Sequence, residues 1–142
     1  MPTGPPIEEP IGRTLDATAR QASRAFDKQL AAAGGTRPGW LILVALKQQR
    51  WRTQQEIATA VGIEGPTLTH HLDAMEKAGL IERSRDREDR RAMRVELTDS
   101  GDKLFIQLAK AAIEFDQRLR EGISDKDLEV VRRVFGRMRA NV

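Results

Sequence analysis

The chain has 142 residues, 24 Lys+Arg against 21 Asp+Glu for a formal net charge of +3, and no cysteine. That length suits one domain with a real core, and the absent thiols exclude a disulfide scaffold, a cysteine zinc site, an iron–sulfur cluster and a thiol redox switch. The longest apolar run, Trp40–Leu46, falls far short of a bilayer span, and MPTGPPIEEP lacks the basic and apolar regions of a signal peptide, so a cytoplasmic protein is expected.

Residues 1–10 hold four prolines and read as an irregular arm. From Ile11 the spacing turns helical, with Ile11, Leu15, Ala22, Phe26 and Leu30 on one face until Gly34-Gly35 stops it. Pro38 suits a first turn, and Trp40, Leu41, Leu43, Val44 and Leu46 predict a short buried helix. Thr53 to Glu56 is a capping box that opens a third helix, which ends at Gly62. Pro66 begins a fourth, with Leu68, Leu72 and Met75 inward and Gly79 at its end. Two short helices joined by a glycine-containing turn form a helix-turn-helix pattern.

The period then changes to two. Leu80–Arg83 and Met93–Leu97 alternate as strands do, and predict a β-hairpin with a long polar tip. Thr98 caps a long helix whose stripe is Leu104, Leu108, Ala111, Phe115 and Leu119, and Gly122 breaks it. Ser124 caps a last helix, where Leu128, Val131, Phe135, Met138 and Val142 recur by three and four. The fold expected is mainly α with a small β-hairpin wing. A winged helix-turn-helix (38–98, wing about 81–97) lies between terminal helices (11–35 and 99–142) in a single domain. The terminal stripes exceed what one winged domain covers, so Ile11, Leu15, Phe115, Leu119, Leu128, Val131, Phe135 and Met138 are candidates for a homodimer interface.

On a helical wheel, Pro66, Thr67, His70, Asp73 and Ala74 face outward, with Thr69 and His71 on the flanks. This is a face of small polar donors and imidazoles, suited to the major groove of duplex DNA. The hairpin adds Arg83, Arg85, Arg87, Arg90, Arg91 and Arg94 against three acids, a local +3, while the rest of the chain holds 18 basic and 18 acidic residues. An arginine at a wing tip can enter the minor groove beside a recognition helix. Asp86 and Asp89 are candidates to hold some of these arginines in ion pairs instead.

In order, P-T-L-T, LD-x-x-E-K-x-GLI-x-R, D-x-x-D-R-R and V-x-LT-x-x-G, followed by GISDKDLEVVRRVFGRMRAN, resemble the MarR family of winged helix-turn-helix regulators, above all its SlyA-type branch. The resemblance covers about residues 11–142. It implies a bacterial, cytoplasmic and nucleoid-associated homodimer that binds pseudo-palindromic DNA and regulates transcription, often as a repressor. It places the recognition role on Thr67, Thr69, His70 and His71 and the wing role on Arg83, Arg85, Arg87 and Arg91, with Asp89 a structural partner. The family often has arginine where this chain has His70. An imidazole is mostly uncharged at pH 7, so a phosphate contact there is weaker and depends on pH. The resemblance also implies a small phenolic or aromatic carboxylate effector, with Arg20 to hold the carboxylate and Trp40 to pack on the ring.

Three rival readings follow from other residue types. His70 and His71 point about 100° apart on a helix and have no third ligand, so no metal or other cofactor is expected. The same basic surface would serve a non-specific DNA-coating protein, although the threonine-rich helix face favours base readout. No catalytic triad, phosphate-cradling glycine loop or carboxylate pair stands out, so an enzyme is not expected.

Overall fold

A computed structural model of the protein describes residues 8–49 and 51–142. The expected arm lies largely outside the described residues, and residues 8–10 are exposed and belong to no regular element.

The first helix, α1 (Ile11–Ala32), ends before Gly34, whose φ of 95° turns the chain. At Gly35 the next turn meets Leu108. A Cβ there would stand 2.6 Å from a Leu108 methyl, so only glycine allows the close approach. Helix α2 (Arg37–Gln48) is capped by Thr36, whose hydroxyl accepts from Gly39 N–H at 3.1 Å. Its Ile42, Leu43 and Leu46 are almost fully buried. They pack with Ile57 of α3 (Gln54–Val61), Leu68 and Leu72 of α4 (Gly65–Lys77) and Leu108 of α5 (Asp99–Arg120) in one core.

The expected two-stranded hairpin is a three-stranded antiparallel sheet. Strands β2 (Ile81–Arg85) and β3 (Met93–Leu97) form the expected hairpin, with Ile81 opposite Leu97 and Arg85 opposite Met93. A further strand, β1 (Trp51–Thr53), pairs with the other edge of β3, giving the order β1-β3-β2. Three residues are too few for alternation to show in a sequence. Thr53 was readable only as a cap, and it does both jobs: it faces Arg94 across the sheet and its hydroxyl accepts from Glu56 N–H at 3.2 Å.

The last helix, α6 (Asp125–Asn141), starts at Ser124, whose hydroxyl accepts from Asp127 N–H at 3.1 Å. None of its residues is buried. Of the expected interface set, Ile11, Leu15, Leu119, Val131 and Phe135 are exposed, whereas Leu128 and Met138 are half-buried. Phe115 is half-buried as well, its ring centroid 5.0 Å from that of Phe26, so part of that stripe is spent within the protomer. Among the described residues no helix is long and apolar enough to cross a membrane.

Candidate nucleic-acid interface

Helix α4 presents its N-terminal turns outward because Leu68, Leu72 and Met75 anchor the opposite face in the core. The chain enters it from Gly62, which closes α3 with φ of 70°. Pro66, Thr67 and His70 are exposed there. Thr69 is placed differently. It is half-buried, its hydroxyl donates to Gly65 C=O at 2.9 Å and accepts from Gln54 Nε2 at 2.8 Å. The hydroxyl expected to meet DNA is therefore engaged in joining α3 to α4. His71 is half-buried and lines a cavity beneath the helix. The two imidazole centroids lie 5.9 Å apart with planes at 60°. Among the described residues no group of three metal-ligating side chains occurs.

The hairpin tip is built by its aspartates. Asp86 Oδ1 accepts from Glu88 N–H at 3.1 Å and Asp89 Oδ1 accepts from Arg91 N–H at 3.0 Å. Both are side-chain-to-backbone turns of the Asx type. The loop closes through Asp86 N–H to Ala92 C=O at 2.9 Å and Arg85 Nη1 to Arg90 C=O at 3.0 Å. The expected arginine–aspartate pairs thus give way to backbone contacts: a short Asp side chain reaches an N–H two residues on at little entropic cost, whereas a long arginine must be ordered to reach it. Arg87, Arg90 and Arg91 are exposed, and among the described residues their guanidinium groups make no ion pair. Arg94 lies lower, half-buried on β3 opposite Ser84 and Thr53.

Arg83 departs from the expected wing-tip role. It sits in mid-β2, opposite Val95, and its side chain is 15% exposed. Its Nη2 reaches Asp73 Oδ1 at 2.5 Å and Glu76 Oε1 at 3.1 Å, while its N–H donates to Glu76 Oε2 at 3.1 Å. Three bonds tie the wing to the last turns of α4. They also hold the Glu76 carboxyl below its ordinary value of 4.5, chiefly through the Arg83 hydrogen bond, and push Arg83 up. No short-range pattern links position 73 with position 83, because the pair forms across a helix end and a strand.

A second junction continues from there. Thr98 donates its N–H to Leu80 C=O at 3.1 Å and its hydroxyl to Gly79 C=O at 2.7 Å, and it accepts from Gly101 N–H at 3.1 Å. The end of α4, the end of the wing and the start of α5 share one residue.

Arg20 and Trp40, the residues expected at an effector, each have their own partner within the protomer. Arg20 pairs with Asp16 at 3.0 Å on the exposed side of α1. Trp40 stacks on Phe105 with centroids 5.4 Å apart and packs against the core. The space beneath α4 is elsewhere, a cavity of about 230 Å³ between the α1–α2 turn, α4 and α5, with His71, Ala74, Met75 and Leu104 in its wall. A wheel marked His71 and Ala74 only as flank and face, since the cavity depends on how α5 crosses below them.

The family model for MarR matches residues 36–93. The structure is similar to the Staphylococcus aureus MepR–DNA complex at 26% identity, TM-score 0.85, over 95% of this chain and 100% of that one. It is similar to the transcriptional repressor CouR bound to a 23-mer DNA duplex at 27% identity, TM-score 0.83, over 92% of each chain. Bordetella bronchiseptica BpsR shares the fold at 21% identity, TM-score 0.84, over 96% of this chain and 98% of that one.

Proposed function

We infer that this chain, whose winged helix is of the MarR type, is a transcriptional regulator that binds duplex DNA as a homodimer, each protomer reading one half of a pseudo-palindromic site. The observation that carries it is the pairing of an outward α4 face (Pro66, Thr67, His70) with a rigidly built loop that leaves Arg87, Arg90 and Arg91 without ion pairs among the described residues. The helix suits a major groove, and the arginines suit the phosphates and minor groove beside it. Two winged lobes on one face of DNA would stand about 34–36 Å apart, one helical turn. His71 belongs to the cavity wall, Thr69 to the joint between α3 and α4, and Arg83 positions the wing rather than touching DNA.

Repression is the proposed sign of regulation, and the closing α6 segment supports placing the chain in the SlyA-type branch. The cavity beneath α4 is the place for an effector. At about 230 Å³ it suits a small planar molecule, and its wall is mostly apolar with one imidazole. A ligand that fits only one position of α4 against α5 would shift the spacing of the two lobes and release DNA.

The test is selection of bound sequences from a random duplex pool, followed by mobility shifts at physiological salt with and without salicylate. A recovered inverted repeat bound far tighter than random DNA, and weakened by salicylate, is the expected result. Equal binding to every duplex would instead mark a non-specific coating protein.

A further inference from the structure

The chain passes between the winged lobe and the terminal helices at two places, the turn at Gly34–Thr36 and the step from Leu97 through Thr98 into α5. Two crossings of the backbone fix where the lobe is attached. Its angle is left to the side chains that reach across, and several of these stand on the first two turns of α5.

Thr98 joins the ends of α4 and of the wing to the start of α5. Asp102 Oδ1 then accepts from Lys47 Nζ of α2 at 2.6 Å. One turn on, the Phe105 ring stacks on Trp40 of α2 with planes 13° apart. The same Lys47 ammonium lies 5.3 Å from the Phe105 ring centroid, so it is shared by both α5 residues. Asp102 and Phe105 are three residues apart and lie on one face of α5. Trp40 and Lys47 are seven apart and lie on one face of α2, separated by about 10 Å. One contact between two helices leaves a pivot, whereas two contacts spaced along them fix the crossing angle. The Gly34–Gly35 turn meets Leu104 and Leu108 on the adjoining face of α5.

Further along, α5 packs on α1 through Phe115 and Phe26. Its 22 residues make one continuous rod of about 33 Å. An angle set between α2 and the first turns of α5 is therefore carried to the terminal helices. On duplex DNA, each base pair added between two half-sites moves the second by about 3.4 Å and turns it by about 35°. A lobe held at one angle follows one spacing.

We propose that Asp102 and Phe105, through Lys47 and Trp40, are positioning residues that set the half-site spacing this protein accepts. They act through α2 and not by contact with DNA. This rests on the reading of paired half-sites given above.

The test compares four duplexes in mobility shifts. Three carry the half-sites recovered by selection, at the selected spacing and at one base pair more or fewer, and the fourth carries one half-site alone. Wild type is expected to prefer the selected spacing by about tenfold or more, because the other two must be twisted to fit. Lys47→Met and Asp102→Asn each remove a charge from a half-exposed pair and spare the core. Each is expected to lower that preference by about threefold, with the lone half-site bound as by wild type. Phe105→Leu, with its fold checked by circular dichroism, is expected to lower it by about fivefold. The exchanged pair Lys47→Glu with Asp102→Lys is expected to bring the preference back to within about twofold of wild type. Variants that keep the wild-type preference overturn the assignment, and so does an exchanged pair that restores nothing. An equal loss on all four duplexes marks a purely structural role and overturns it too. A wild type that binds paired half-sites at every spacing alike removes the spacing rule but spares the regulator, whereas a recovered pool without paired half-sites overturns the dimeric reading as well.

Discussion

Arg83 and Glu76 share two hydrogen bonds, backbone N–H to Oε2 and guanidinium to Oε1, each 3.1 Å long. A strand of the wing is thereby fixed to the last turns of the helix whose other end is presented outward. Asp73 adds a third contact to the same guanidinium. The orientation of wing to helix is set by side chains rather than by the sheet alone.

Arg83→Gln should therefore weaken DNA binding through geometry, by about three- to tenfold. On the proposal that Arg83 positions the wing rather than touching DNA, the slope of log affinity against log salt should stay unchanged. Arg87→Ala should instead reduce that slope by about 0.9, the loss of one phosphate contact. Equal slopes for the two variants would show that both residues act in the same way.

The same contact carries a pH signature. Glu76 titrates below its ordinary 4.5 when folded, so its stabilisation is present above the unfolded value and is lost as pH falls through the lowered one. Arg83 is pushed further up by the same two carboxylates and stays charged throughout. Wild type should exceed Glu76→Gln in urea stability at about pH 7, and the gap should narrow as the pH falls below 4.5. A gap independent of pH would remove the ion pair from the account.

Thr69 and Gln54 join α3 to α4 with a part-buried bond of 2.8 Å. Thr69→Val and Gln54→Ala should each cost about 1 kcal/mol in chemical denaturation. The double variant should cost less than their sum, since either change removes the bond. Additive losses would mean that the two side chains act separately.

Gly101 lies where α5 leaves the wing. A Cβ there would collide with the Leu80 carbonyl and stand 2.7 Å from a Leu97 methyl. The carbonyl cannot retreat, because it accepts from Thr98 N–H. Gly101→Ala should cost about 1–3 kcal/mol and broaden the resonances of β2 and β3 in an NMR spectrum. A stable variant with an unchanged spectrum would show that α5 can shift freely at its start.

Apart from β1, the order of elements was written in the sequence because each rests on local rules. Thr36, Thr53, Thr98 and Ser124 each supply an oxygen to an N–H three residues on, and Gly34, Gly62, Gly79 and Gly122 take positive φ. Period 3.6 and period 2 separated helices from strands. The arginine excess of the hairpin was likewise a count of residue types.

What the sequence by itself determined was therefore which surface is charged and which face of α4 turns inward. Only the tertiary structure decided how the charges are used. Arg83 and Arg87 have the same side chain four residues apart, yet one is held by Asp73 and Glu76 while the other stands at a loop tip. β1, the joint at Thr69 and the cavity beside His71 share that origin. Each arises where distant segments meet, and a side chain's role there depends on what the packing brings within about 3 Å of it.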